Sequence, residues 1–133
     1  MATKRFLLDT NILSSFIKEP AGAAARKIAE VGVDNVATSI VVAAELRFGV
    51  EKKGSQKLKD RVEALLESLE VLSLGPGADR CYAKIRWALE AEGRPIGPND
   101  LLIAAHAISE GMVLVTRNAE EFERVAGLDL EVW

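Results

Sequence analysis

The stretch RFLLDTN, residues 5–11, decides the fold because a short apolar run in it ends abruptly at an acid. Phe6, Leu7 and Leu8 do not alternate with polar residues, which is typical of a strand buried on both faces of a sheet. Ligands of open parallel sheets bind outside the carboxyl ends of the strands, so Asp9 lies at the functional edge if this strand is central. Asp9 is also a suitable N-cap for the next helix, and the two roles are compatible.

Similar apolar runs recur along the chain and alternate with helical patterns. Strands are expected at residues 5–8, 36–38, 71–74, 112–115 and 130–133. Helices are expected at residues 23–31, 40–52, 58–69, 82–92 and 101–110, two in a row between the second and third strands and again between the third and fourth. The alternation predicts an α/β fold, a three-layer α/β/α domain with a central, mostly parallel sheet of four to five strands.

Length and composition bound the function classes. The 133 residues fit a single domain over residues 1–133, and 49% hydrophobic with 28% charged residues is a globular balance. No apolar run approaches the ~20 residues of a membrane span, and the single cysteine, Cys81, has no internal partner, so a cytoplasmic protein is expected. A net charge of −3 is unusual for a nucleic-acid coat protein, but a nuclease that holds a cation with acids is compatible with it.

Two further acids occupy positions where apolar residues are expected. Glu45 has Val41, Val42, Phe48 and Gly49 as its helical neighbours and so lies within an apolar face, which requires a cation or a donor. A structural ion pair of Glu45 with Arg47 or Arg86 is the alternative. Asp100 begins a helix after Pro98 and lies over the apolar stripe Ile103, Ala104 and Ala107, although an acid in the first turn is also favoured by the helix dipole.

Asn118 follows the strand at residues 112–115 and places an oxygen at the same sheet edge as Asp9. By itself it is better explained as an N-cap for residues 119–122, and Glu120 is an acidic neighbour that can substitute for it. Acids converging at one edge repel each other unless a cation neutralises them, and all-oxygen ligands favour Mg²⁺ or Mn²⁺. Zinc is disfavoured because the chain has one Cys and one His.

Other chemistries have weaker support. Cleavage of RNA by histidine acid–base catalysis needs two such groups, and the chain has only His106, which is expected to be an ordinary helix residue. An aspartyl phosphatase needs a second Asp two residues after the first, where this chain has Asn11. The residues leave two alternatives to a metal-dependent nuclease, a metal-dependent phosphatase and an RNA- or protein-binding module that does not cut.

Four ordered blocks of the chain resemble the motifs of PIN-domain ribonucleases, and within that family the VapC toxins of type II toxin–antitoxin modules. The blocks are residues 8–11, 39–46, 97–100 and 115–122, supported by residues 93–95 and 127–128. The resemblance implies a metal-dependent endoribonuclease with Mg²⁺ or Mn²⁺ on Asp9, Glu45 and Asp100. Asn118 falls where many members carry a fourth acid, which puts a second metal position in doubt.

The resemblance also implies partners and a cellular role. These are an RNA substrate, with initiator tRNA as the first expectation, inhibition of translation, a VapB-like antitoxin that masks the site, and a homodimer that forms a heterotetramer or larger assembly with it. Candidates to position the acids by hydrogen bonds are Thr10, Asn11, Ser39 and Thr116. Candidates to hold RNA phosphates are Arg47, Arg86, Arg94 and Arg117, with Lys84 a weaker one.

Overall fold

The computed structural model describes residues 4–133, in which five strands form one sheet. The strands are β1 (Phe6–Leu8), β2 (Val36–Ser39), β3 (Glu70–Leu72), β4 (Val113–Thr116) and β5 (Leu130–Val132). The sheet order is β3-β2-β1-β4-β5, and every pair of neighbours is parallel. The predicted fold class is confirmed, and β1 is the central strand.

Six helices connect the strands. They are α1 (Thr10–Lys18), α2 (Ala23–Val31), α3 (Ile40–Lys53), α4 (Gln56–Ser68), α5 (Ala78–Ala91) and α6 (Pro98–Glu110), with 3-10 turns at Val33–Asn35 and Phe122–Arg124. With this strand order, the rule that parallel crossovers are right-handed puts α1–α4 on one face of the sheet and α5 and α6 on the other, which gives the three layers. Among the described residues, no helix is both long and apolar enough to span a bilayer.

Two consecutive helices were predicted in two of the connections between strands, but the structure has them in three. A pair also connects β1 to β2, because α1 ends at Lys18 and α2 begins only at Ala23. Pro20 lies between them, and proline disfavours a helical conformation in the residue before it. The expected range 23–31 is therefore correct for α2, and α1 is a separate helix that begins directly after Asp9.

The strand order creates one special position at the carboxyl edge of the sheet. The chain moves from β1 outward to β2 and β3, then returns to the other side of β1 to form β4. The connections leave β1 and β4 in opposite directions, and ligands of doubly wound sheets bind at such a switch point. The residues that follow β1 and β4 face each other across it.

The core lies directly beneath this edge. Leu7, Leu8, Leu114 and Val115 on the two central strands have no exposed surface, and neither has Ile103 in α6. Buried packing of this kind resists small displacements, because interiors are as dense as organic crystals. The side chains at the carboxyl ends of β1 and β4 are therefore attached to a fully buried, densely packed part of the molecule.

Candidate active site

Asp9 is buried at the switch point, with 6% of its surface exposed. Its backbone nitrogen donates to the carbonyl of Val115 at 2.9 Å, which extends the pairing of β1 with β4 by one residue. Its side chain caps α1, since Oδ1 accepts a hydrogen bond from the backbone nitrogen of Thr10 at 2.7 Å. Asp9 therefore does cap a helix and also lies at the functional edge.

The second oxygen of Asp9 is held by a polar network that involves Thr116 on the adjacent strand β4 and Asn11 in α1. Thr116 Oγ1 donates to Asp9 Oδ2 at 2.9 Å and accepts from Asn11 Nδ2 at 3.1 Å. Asn11 Oδ1 in turn accepts from the backbone nitrogen of Arg117 at 3.1 Å. These hydrogen bonds orient the side chains of Thr116 and Asn11. Thr116, on β4, in turn holds the carboxylate of Asp9, at the end of β1, in one position.

Glu45 reaches the same place from α3. Thr10 Oγ1 donates to Glu45 Oε1 at 2.5 Å, and Asn99 Nδ2 lies 3.5 Å from Oε2. The alternative of an ion pair with Arg47 or Arg86 is wrong, because Arg47 pairs with Glu63 and Arg86 pairs with Glu90.

The sequence also misassigned the face of α3 that carries Glu45. Val42 is buried as expected, but Phe48 is 66% exposed. The buried face consists of Val42, Ala43, Leu46 and Val50. Apolar residues surround this helix on nearly all sides, so their spacing does not reveal which side is covered.

Asp100 lies in the first turn of α6, above Ile103, Ala104 and Ala107, which are fully buried. Its pKa is raised from its ordinary value of 3.8 to about 7, first by burial and then by a hydrogen bond with Glu121. The negative charges of Asp9, Glu121 and Glu45 raise it further. Burial also raises the pKa of Asp9, while hydrogen bonds from Thr10 and Thr116 oppose that shift and the charge of Glu45 adds to it.

These acids line one open cleft with a volume of about 610 Å³ at the switch point. Asp9 and Asn118 come from the ends of β1 and β4, and Glu45, Asp100 and Glu121 are the acids whose charges or hydrogen bonds act together with Asp9. Glu19, which follows the last residue of α1, is a fifth acid in the lining. The sequence predicted that Asp9, Glu45 and Asp100 converge, and the structure brings all three to this cleft.

The donor set fits a hard divalent cation. Every acidic lining group offers carboxylate oxygens, and the cleft lining contains no Cys or His. Burial raises the pKa of Asp100 first and the negative charges of neighbouring acids raise it further, so a bound cation would favour its ionised form. Within residues 4–133, no three Asp, Glu, His or Cys side chains already form a compact ligand group, so a cation that used several of these acids would have to draw the side chains inward.

Glu121 and Glu19 also line the cleft and were not singled out from the sequence, and of these two only Glu121 acts on Asp100. Asn118 lines the cleft as expected, and its Oδ1 accepts from the backbone nitrogen of Glu120 at 3.4 Å. Glu120 itself is exposed and does not line the cleft. Phe122 is buried and anchors the turn, which directs Glu121 inward. Two adjacent acids give no pattern that separates them, and the buried Phe122 beside Glu121 is the signal that distinguishes them.

Ser39 lies apart from the acids. Its Oγ accepts from the backbone nitrogen of Val41 at the start of α3 and shares a hydrogen bond of 2.7 Å with His106 Nδ1. Both residues are fully buried, and burial lowers the pKa of His106. The pair joins the ends of β2 and α3 to α6, which is a structural contact, in keeping with the expectation for His106.

The basic side chains predicted to hold RNA phosphates fall into two groups, those that line the cleft and those that do not. Arg117 lines the cleft, and its Nη1 donates to Ser15 Oγ at 3.0 Å. Arg47, Arg86 and Arg94 are exposed but do not line it. Lys18, at the end of α1, does line it and was not singled out from the sequence, because a lysine in the last turn of a helix is common.

Comparison with known proteins places this cleft in a family context. A family model described as the PIN domain matches residues 6–128. The chain is 37% identical over 130 residues to Ribonuclease VapC2 of Rickettsia felis, covering 96% of this chain and 97% of that protein. It is also 37% identical over 133 residues to the tRNA(fMet)-specific endonuclease VapC of Shigella flexneri, covering 97% and 98% of the two chains.

Solved structures agree with the sequence comparison. VapBC2 from Rickettsia felis, bound to a DNA fragment from its promoter, superposes with a TM-score of 0.88 at 35% identity and covers 96% of this chain and 98% of that one. DNA-bound VapBC from Salmonella typhimurium gives a TM-score of 0.87 at 35% identity, with 98% of both chains covered. The similarity therefore extends over the whole sheet and the helices that carry the acids.

Proposed function

Because the chain belongs to the PIN-domain family, we propose that it is a divalent-metal-dependent endoribonuclease and that the acidic cleft is its active site. The reaction is hydrolysis of an RNA phosphodiester, which adds water and yields a phosphomonoester end and a hydroxyl end. The relatives named as ribonucleases align with this chain over 97% and 98% of their own length, which supports the proposal.

The observation that carries the proposal is the convergence of the carboxyl groups of Asp9, Glu45, Asp100 and Glu121 in one open cleft, which Glu19 also lines. Asp9 lies buried at a strand end, and burial, a hydrogen bond with Glu121 and the negative charges of nearby acids together raise the pKa of Asp100 to about 7. A protein that only bound a partner would gain nothing from this repulsion, since uncompensated buried charge is costly. A divalent cation would neutralise these negative charges, so the carboxylates that repel one another would all attract the ion.

Asp9, Asp100, Glu45 and Glu121 are the residues that would hold Mg²⁺ or Mn²⁺. When bound, the ion supplies charge for the scissile phosphate and lowers the pKa of water. Thr116, Asn11 and Thr10 position Asp9 and Glu45 through the hydrogen bonds described above. Asn118 lines the cleft beside the acids and orients the loop that carries Glu121.

The cleft also needs positive charge for a polyanion, because its acids repel phosphate. Arg117 and Lys18 lie at its rim and are the residues we assign to the phosphates that flank the cut. Arg47, Arg86 and Arg94 are exposed and lie outside the cleft, where they can contact only more distant phosphates. The net charge of −3 makes these local cations more important for orienting RNA than any overall attraction.

We assign tRNA as the substrate class and a toxin–antitoxin module as the biological setting. A relative 37% identical over 133 residues is named as specific for tRNA(fMet), which makes initiator tRNA the first substrate to test. The solved relatives are VapBC complexes, and a VapB-like antitoxin that masks the cleft is the partner we expect. Cleavage of initiator tRNA would stop translation at its first step.

The test is cleavage of purified initiator tRNA by the purified chain, with Mg²⁺ or Mn²⁺ and with EDTA. We expect discrete cut products with metal, none in EDTA and recovery when metal is restored. Asp100→Asn should be inactive, whereas Asp79→Asn, an acid at the start of α5 that does not line the cleft, should cut normally. Equal cleavage by the wild type and Asp100→Asn would contradict the proposal, as would hydrolysis of a chromogenic phosphomonoester with no cleavage of RNA.

A further inference from the structure

An exposed aromatic ring lies beside the acidic cleft and has no role in the chemistry assigned above. Phe48 is 66% exposed on α3, one helical turn after Glu45. Residues three apart on a helix share a face, so the ring and the carboxylate point to the same side of α3. A large apolar side chain exposed next to a functional cleft commonly marks a binding surface.

The ring forms one wall of a groove with a volume of about 470 Å³. The groove is lined by Thr10, Val41, Ala44, Glu45, Phe48 and Asn99. Thr10 and Glu45 also line the acidic cleft, so the groove leads directly away from the carboxylates. A ligand bound in the groove would therefore lie next to Thr10 and Glu45, which both also line the acidic cleft.

The groove combines a flat aromatic wall with an amide. Asn99 lies at its edge with Nδ2 3.5 Å from Glu45 Oε2, a long contact that leaves the amide able to pair with another group. An amide has both donors and an acceptor and can pair with the edge of a nucleobase. Proteins that recognise unpaired RNA bases use this combination, stacking the base on an aromatic ring and hydrogen bonding its edge.

We propose that this groove binds an unpaired base of the RNA next to the cut phosphate, stacked on Phe48 and paired with the amide of Asn99. The inference rests on the proposed ribonuclease function and adds to it a site that selects the substrate. Single-stranded loops would be preferred over duplexes, because a base must leave its helix to stack on the ring. Phe48 and Asn99 act here as positioning and specificity residues.

The surroundings of Phe48 favour a base over a second protein copy. Arg47 and Glu51 are exposed neighbours of Phe48 on α3, so charged side chains border the apolar groove residues Val41, Ala44 and Phe48. Interface cores between protein copies are depleted of charge and are much larger than one side chain. A concave groove with an aromatic wall and an amide edge fits a planar, partly polar ligand.

The first arm of the test measures stacking without cleavage. A short single-stranded RNA that contains 2-aminopurine is titrated with Asp9→Asn protein, so that it is not cut. We expect the 2-aminopurine fluorescence to be quenched on binding, the quenching to be lost in Asp9→Asn/Phe48→Ala, and to be kept in Asp9→Asn/Phe48→Tyr. Trp87 on α5 is 73% exposed and does not line the groove, so Trp87→Ala is the matched control and should change nothing.

The second arm measures cleavage by otherwise wild-type protein. Loss of one stacked base weakens binding by roughly 5- to 150-fold, so Phe48→Ala should raise KM by about that factor with a smaller effect on kcat. Phe48→Tyr should restore KM, and Asn99→Ala should change the preference among bases at one position beside the cut. Each variant is also checked for its oligomeric state by light scattering.

Two results would overturn the proposal while leaving the ribonuclease function intact. One is a Phe48→Ala protein that cleaves RNA with the KM of the wild type and quenches 2-aminopurine as strongly as the Trp87→Ala control does. The other is a Phe48→Ala protein that changes oligomeric state, with a KM that recovers at high protein concentration, which would assign the ring to an interface between copies. Failure of the ribonuclease function itself is distinguishable, since wild-type protein would then cut no RNA whatever the fluorescence arm shows.

Discussion

Asp9 and His106 are both buried polar residues close to the central strands, and their surroundings are opposite. Asp9 has 6% of its surface exposed and faces a cleft lined by four other carboxyl groups. His106 has none exposed and shares one hydrogen bond with Ser39. Burial disfavours the charged form of both, raising the pKa of Asp9 and lowering the pKa of His106.

The difference shows what separates a functional buried group from a structural one. The hydrogen bonds to Asp9 come from Thr10 and Thr116 on the protein side and leave the other side of the carboxylate open to the cleft. His106 is enclosed by the core and presents nothing to solvent. Substitutions at Asp9 should therefore remove activity and spare stability, and substitutions at His106 should do the reverse.

The largest expected effect is on catalysis by the cleft acids. Asp9→Asn should lower kcat for RNA cleavage by at least about 10²–10³-fold, as for loss of a main electrostatic group in other active sites. Its melting temperature should stay within a few degrees of wild type, because an amide oxygen can still cap α1. Steady-state cleavage and circular dichroism measure the two effects. Asp34→Asn, an exposed acid in a 3-10 turn, is the control and should alter neither.

The converse prediction concerns His106. His106→Ala should lower the free energy of unfolding by about 2–4 kcal/mol, since it leaves a cavity and a buried Ser39 hydroxyl without its partner. Urea denaturation measures this, and the rate per folded molecule should stay within about two-fold of wild type. Ser109→Ala removes a half-buried hydroxyl from the same helix and should cost much less. A catalytic defect in fully folded His106→Ala would break the comparison.

A smaller effect is expected where the polar network meets the acids. Thr116→Val removes the hydroxyl that donates to Asp9 Oδ2 and should weaken Mn²⁺ binding by about ten-fold, the lower end for groups that support metal ligands. Thr38→Val is the matched control. Thr38 is equally buried at the neighbouring strand end, but its hydroxyl donates to the carbonyl of Leu8 and not to an acid. Equal Mn²⁺ affinity in Thr116→Val and Thr38→Val would show that the hydrogen bond from Thr116 does not support metal binding.

The smallest effect is a pH dependence of stability. Folding raises the pKa of Asp100 from 3.8 to about 7, so the folded chain holds a proton that the unfolded chain has already lost. Stability in EDTA should therefore fall as the pH rises through that window, with a melting temperature lower by a few degrees at about pH 8 than at about pH 5. Asp100→Asn should lose most of this decline. The same decline in both proteins would mean that another group causes it.

Much of this picture is predictable from the sequence because buried parallel strands have a strong signature. The unbroken apolar runs at β1 and β4 indicate the central strands, and an acid directly after β1 indicates the edge where ligands bind. Asp9 and Asp100 each have a local signal, an abrupt end to an apolar run and an acid above an apolar stripe. These signals depend only on neighbours in the chain.

The features that sequence reasoning missed depend on contacts between distant segments. Glu121 and Glu120 are equivalent in the sequence, and only the anchoring of Phe122 in the core turns one of them into the cleft. The solvent-exposed face of α3 cannot be predicted from the sequence, because that helix has apolar residues on most sides. Only the fold shows that Phe48 is exposed. Lys18 enters the cleft because α1 ends beside it, which no local pattern indicates.

The most direct test of the central claim, that the four acids coexist in order to hold a divalent cation, is calorimetric titration of the purified chain with Mn²⁺. At about pH 8 we expect binding to wild type, weaker binding at about pH 5.5 with proton release from Asp100, and no comparable binding to Asp9→Asn/Asp100→Asn. Wild-type protein that does not bind Mn²⁺ at about pH 8, or a double variant that binds it equally well, would contradict the claim.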